Sequence, residues 1–301
     1  MATSGLAAAP YHKVTVHHDP TVRIAELPDG LGLPYAEQGD PAGTPVVFLH
    51  GITDSWRSFQ LVLPHLPPSI RALALTQRGH GDASRPLTGY HPNDFAADVI
   101  AFLDRLAIDR AVIVGHSMGS IVGQLVAAGH PDRLRGLVLA GSFSGYRGKP
   151  GIQELVDAVL ALTDPVDPRF VREFQESTIA RGVPPWFLDN AIAESLKLPA
   201  RVWHAAFAQM LELDPPPLSR IVAPTLILWG DRDTITRRVD QDELMAGLRD
   251  ARLVVYEGTG HAIHWEEPER FAADVAAFVC LTWGVRDAPP NPPALRGPAK
   301  P

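Results

Sequence analysis

Short apolar runs rich in β-branched residues recur along the chain at Pro45–Leu49, Ile70–Leu75, Ala111–Val114, Leu137–Leu139, Thr225–Trp229 and Leu253–Tyr256. None alternates cleanly between apolar and polar, the pattern of parallel strands buried on both faces. Helical spacing separates many of them. In Asp94–Leu106, Phe95, Val99, Phe102, Leu103 and Leu106 fall on one stripe. In Pro268–Leu281, Phe271, Val275, Phe278 and Val279 do the same, with Pro268 suited to a first helical turn. Strands alternating with helices predict an α/β fold with a doubly wound, mostly parallel sheet. The beginning differs. Val22–Ala25, a turn at Pro28-Asp29-Gly30 and Leu33–Ala36 predict an antiparallel hairpin at one edge.

One stretch breaks the alternation. Residues 144–220 show no convincing strand but several helical patterns carrying Phe170, Phe174, Trp186, Phe187, Trp203, Phe207 and Met210, closed by Asp214-Pro215-Pro216-Pro217. This predicts a helical lid between core segments 21–143 and 221–284. An insertion at the carboxyl end of a sheet can cover the crevice where such sheets bind ligands. Some of these aromatics are expected to face the pocket rather than only build the insert's own core, with Trp186, Trp203, Phe207 and, just ahead of the insertion, Phe143 as the candidates. Residues 1–20 and the Pro-rich 285–301 read as flexible tails.

Composition narrows the function without naming it. The 301 residues are 46% hydrophobic and 20% charged with a net charge of −7, and no basic face points to nucleic acid. No stretch approaches the ~20 apolar residues of a membrane span. The N-terminus lacks a signal-peptide pattern, so a cytoplasmic enzyme is the expectation. The single cysteine, Cys280, lies in the apolar run AAFVCLTW and reads as a core thiol. The histidines form no ligand-spaced cluster, so neither a metal nor a cofactor is expected.

Chemistry enters at Ala111–Ala128, AVIVGHSMGSIVGQLVAA. A strand, a G-x-S-x-G match and a small-residue helix predict a sharp turn that lifts the Ser117 hydroxyl above the sheet edge as a nucleophile. Gly115 and Gly119 leave room for that turn. The helix N-terminus favours developing negative charge. His116 reads as structural. Acyl transfer needs two N–H donors at the oxyanion. One is expected from Met118. The other is expected from Ile52, on the loop where Pro45–Leu49 runs into His50-Gly51-Ile52. His50 reads as a brace for that loop.

With these residues in place, the chain resembles the α/β-hydrolase superfamily from about Thr21 to Trp283. The resemblance rests on HGITDSW (50–56), RGHG (78–81), GHSMG (115–119), LILWGDRD (226–233) and GHAIHWEEPERF (260–271), in the family's order. It implies an eight-stranded sheet, a lid after the sixth strand, and a triad in the order Ser, acid, His. Carried over, it makes His261 the base and His264 the rival, placed where a packing residue is expected. No Asp or Glu occurs in Ala140–Lys149, which leaves Asp231 and Asp233 as acids. The family's G-x-x-D pattern points to Asp233, with Asp231 stabilising the loop.

The expected activity is hydrolysis of a small or medium carboxylic ester, with lactones as close alternatives. Cofactor-free perhydrolysis and C–C bond hydrolysis on the same triad stay open. So does a ligand receptor of the same fold. Superfamily members with an aspartate nucleophile, the haloalkane dehalogenases and epoxide hydrolases, are disfavoured by the serine. The absence of Tyr from 147–220 also disfavours the epoxide hydrolases. Ile52-Thr53-Asp54, where C–C hydrolases usually carry Gly-Pro-Gly, counts against that activity. The acyl and alcohol groups, and the oligomeric state, are left open.

Overall fold

The computed structural model describes residues 20–149 and 151–284. The expected tails fall almost wholly outside the described residues.

Eight strands form one sheet: β1 (Thr21–Glu26), β2 (Gly32–Gln38), β3 (Thr44–Leu49), β4 (Ile70–Leu75), β5 (Ala111–His116), β6 (Leu134–Ala140), β7 (Thr225–Gly230) and β8 (Ala251–Tyr256). Their spatial order is β1-β2-β4-β3-β5-β6-β7-β8. β1 and β2 make the antiparallel edge hairpin, and β2 pairs antiparallel to β4. All the other pairs are parallel.

The central strands are apolar on both sides because each side meets a separate core. Val47, Leu49, Ile113, Leu137 and Ile227 belong to one buried cluster. Their neighbours Val46, Phe48, Val112, Val138 and Leu226 belong to the other. Alternation is present in space but invisible in polarity.

Helix α1 (Pro92–Arg105) starts at a capping box between His91 and Asp94. It buries Phe95, Val99, Phe102 and Leu103 against the first cluster, alongside α2 (Met118–Gly129). Between β6 and β7 lie α3 (Ile152–Leu160), α4 (Pro168–Glu176), α5 (Pro185–Leu196) and α6 (Ala200–Glu212), with no strand among the described residues. After β7 come α7 (Arg238–Gly247), the short α8 (Ile263–Glu266) and α9 (Pro268–Trp283). Helix α9 buries Phe271, Val275, Phe278 and Val279 on the second face. Cys280 is half-buried rather than a core thiol. It follows Val279 by about 100° around the helix and so leaves the apolar stripe.

This topology fixes where a site can form. The chain leaves β3 toward β4 on one side, then returns through α1 to place β5 on the other side of β3. The loops after β3 and β5 therefore diverge at the carboxyl edge, where open α/β sheets bind ligands. Leu49 and Gly115 are register partners at the ends of these strands, so Ile52 and Ser117 emerge side by side.

Candidate active site

Ser117 links β5 to α2 with φ 51 and ψ −117, a left-handed backbone on a non-glycine residue. The turn permits no side chain on either flanking glycine. A Cβ on Gly119 would lie 2.8 Å from the His50 carbonyl oxygen, and one on Gly115 would lie 2.6 Å from Ser120 Cα. Below the elbow, Ser120 Oγ donates to the Ser117 carbonyl at 2.6 Å and lies 2.8 Å from Ser142 Oγ. Met118 opens α2, where first-turn N–H groups have no intrahelical acceptor.

His261 follows β8 on the same edge. Its Nδ1–H donates to Asp233 Oδ2 at 2.8 Å, with both side chains buried. Nε2 is buried and has no hydrogen-bond partner among the described residues. Asp233 is held by three further donors: Ile235 N–H and Thr236 N–H to Oδ1, both at 2.8 Å, and the Thr236 hydroxyl to Oδ2 at 2.5 Å. Burial pushes this carboxyl up, but the His261 ring and the donors from His261 and Thr236 outweigh it and hold the pKa below the ordinary value. Asp231 points elsewhere, accepting from Gly258 N–H at 2.6 Å. The His261 loop is anchored by Glu266, whose Oε1 accepts from Gly260 N–H at 2.7 Å.

Three other histidines near the site, His50, His116 and His264, have structural contacts. His50 accepts from Gln77 N–H through Nε2 at 3.0 Å and donates through Nδ1 to Gly51 O at 2.7 Å. His116 donates from Nε2 to the His261 carbonyl at 3.2 Å. His264 meets Ser58 Oγ at 3.0 Å and packs 4.4 Å from the His116 ring. Burial depresses all three pKa values, that of His264 to about 3.

Ser117 and His261 open on one cavity. Ile52 and Asp54 of the β3 loop also line it, with apolar side chains from α3, α4 and α6 on the opposite wall. Of the four candidate pocket residues, Phe207 lines this cavity. The other three do not. Trp203 lies one layer back, fully buried and stacked on Phe207 at 6.0 Å. Phe143 is also behind the wall, edge-on to Tyr146 at 4.5 Å. Trp186 is 50% exposed. Helix α5 turns its next residue, Phe187, inward together with Ala191 and Ser195, which leaves Trp186 outside.

Three polar cavity residues were not singled out in the sequence. Tyr146 lines the cavity beside Ser117. Burial pushes this phenol up, so it stays protonated. It stands one residue ahead of the Tyr-free stretch 147–220. Gln175, on α4, shares its two Nε2 hydrogens among Thr53 Oγ1 (3.3 Å), Asp54 Oδ1 (3.1 Å) and Ser195 Oγ (2.8 Å). This ties α4 and α5 to the β3 loop, in which Thr53 adopts φ 73. Asp54 itself sits within the HGITDSW motif. No periodicity marks any of the three, because their meeting depends on how the inserted helices dock.

The chain matches the alpha/beta hydrolase family over residues 46–274 and belongs to it. It is 30% identical to a non-heme chloroperoxidase of Streptomyces lividans over 274 residues, 83% of this chain and 97% of that one. It is 27% identical to a 2-(acetamidomethylene)succinate hydrolase of Mesorhizobium japonicum, over 79% of this chain and 88% of the relative. Among solved structures, an esterase from Rhodococcus sp. superposes with a TM-score of 0.74 at 27% identity, covering 86% of this chain and 98% of the other. The fold and the family make this chain a hydrolase acting on a small molecule.

Proposed function

We propose that this hydrolase cleaves a small or medium carboxylic ester with an apolar portion through a covalent acyl-enzyme on Ser117. The observation that carries the reading is the pairing of His261 with a buried, ionised Asp233, while its other nitrogen has no hydrogen-bond partner among the described residues and lies in the cavity that Ser117 shares. Ser117 Oγ attacks the ester carbonyl as His261 Nε2 takes its proton. Asp233 fixes the Nδ1–H tautomer and stabilises the imidazolium. The N–H groups of Met118 and Ile52 receive the oxyanion. His261 Nε2–H then protonates the departing alcohol oxygen, and water attacks the acyl carbon by the same proton route to release the acid and free Ser117. A lactone uses the same parts, with its alcohol and acid remaining one molecule. The apolar wall from the inserted helices supports an apolar acyl or alcohol group.

Ser117→Ala tests this. Hydrolysis of a p-nitrophenyl ester is expected to fall by about a thousandfold or more with the fold intact by circular dichroism, because members of such a unit fail together. A rate in the folded variant near that of the wild type would remove Ser117 from the mechanism.

A further inference from the structure

One carboxyl in the cavity has no part in the chemistry above. Asp54 is 5% exposed and lines the same space as Ser117 and His261. Its Oδ1 accepts from Gln175 Nε2 at 3.1 Å and its Oδ2 from Ser58 Oγ at 3.1 Å. The groups facing it are few. His261 and His116 lie on the cavity side. His264 reaches it through Ser58. Glu194 of α5 contributes a second negative charge from behind, itself paired with Arg57 at 3.5 Å and Lys197 at 2.8 Å. No Lys or Arg is among the described residues lining the cavity.

A substrate carboxylate entering here would lose its water and meet no cation. It would instead approach a carboxyl that ionises in the physiological range: burial raises Asp54 to about 7, against the opposing Gln175 and Ser58 hydrogen bonds. We propose that Asp54 is a specificity-determining residue that excludes anionic substrates, so that this enzyme's substrate is an ester or lactone carrying no carboxylate. This rests on the reading of the cavity as a hydrolase active site. It separates the chain from its Mesorhizobium relative, whose name specifies a succinate.

The test uses two p-nitrophenyl esters of similar length, the neutral heptanoate and the anionic mono-adipate, with background hydrolysis subtracted. A pH effect on the chemical step common to both esters cancels in the ratio of their kcat/KM values. In the wild type the neutral ester is expected to lead by about a hundredfold, the scale of a like-charge contact in a poorly solvated site. That lead should widen as Asp54 ionises between about pH 6 and about pH 8.5. Asp54→Asn retains an acceptor for Gln175 and a polar contact for Ser58. It should shrink the lead about tenfold and flatten its pH dependence. If the variant does not fold, the pH dependence of the wild-type ratio still decides. Equal kcat/KM for the two esters in the wild type, or a ratio that ignores pH, overturns the proposal. So does a ratio unmoved in a folded Asp54→Asn protein. A wild type that hydrolyses neither ester, with Ser117 unlabelled by a fluorophosphonate, overturns the hydrolase reading and the inference with it.

Discussion

Asp231 and Asp233 stand two residues apart on one loop, yet their surroundings assign them different tasks. Asp233 is buried and takes the His261 Nδ1–H, whereas Asp231 holds Gly258 N–H. Asp233→Asn keeps the shape but removes the charge that favours the productive tautomer, so kcat is expected to fall by about a hundredfold or more with a near-normal Tm. Asp231→Asn weakens a loop hydrogen bond worth roughly 0.5–1.5 kcal/mol and should lower Tm more than kcat. Measuring both quantities for both variants decides the matter, and a collapse of kcat in Asp231→Asn alone would reverse the assignment. These two aspartates, with Ser117 and His261, were legible because each lies within a few residues of a strand end, inside a motif whose spacing encodes a turn. Tyr146 and Gln175 lie in no such motif, and Asp54, though within HGITDSW, is not marked by that motif as a cavity residue. Their place at the cavity is set by contacts across 29 positions for Tyr146 and Ser117, and 121 for Gln175 and Asp54.

The core elements followed from composition more closely than the inserted helices did. A strand flanked by two apolar layers must be apolar throughout, so β3 to β7 announced themselves. In the insertion, the helices are amphipathic toward one another as well as toward the cavity, and sequence does not say which apolar neighbour faces which. Trp186 and Phe187 are adjacent, but only Phe187 is buried. The functional consequence is specific. Phe207→Ala enlarges the cavity wall and is expected to shift kcat/KM toward bulkier acyl chains by about tenfold, the scale of a few methylene contacts. Trp186→Ala removes an exposed ring and should leave the order of preference unchanged. Kinetics over esters of graded chain length read both, and a reordering by Trp186→Ala would place that ring against the substrate.

At the scale of the whole molecule, buried titratable groups bound the pH range in which the fold is stable. His50, His80, His116 and His264 are buried, and burial lowers every one of their pKa values from 6.5, His80 to about 4 and His264 to about 3. As pH falls below 6.5, the unfolded chain takes up protons that the folded one refuses. Stability then drops by about 1.4 kcal/mol per pH unit for each such proton. Asp54 acts in the other direction. Its folded pKa, about 7, lies above the ordinary 3.8, so the stability linked to its proton is lost as pH rises through 7. A steep fall in Tm between about pH 6.5 and about pH 4 is therefore expected, with Asp54→Asn gaining more stability at about pH 8 than at about pH 5. A Tm flat across the acid range would mean that these histidines titrate freely in the folded state. The central claim of the proposed mechanism is that an acyl group passes through Ser117. The most direct measurement is mass spectrometry of protein quenched in acid during turnover of a p-nitrophenyl ester. Added acyl mass is expected on the peptide containing Ser117, absent from Ser117→Ala. Acyl mass on another residue, or steady turnover by the Ser117→Ala protein, would contradict that claim.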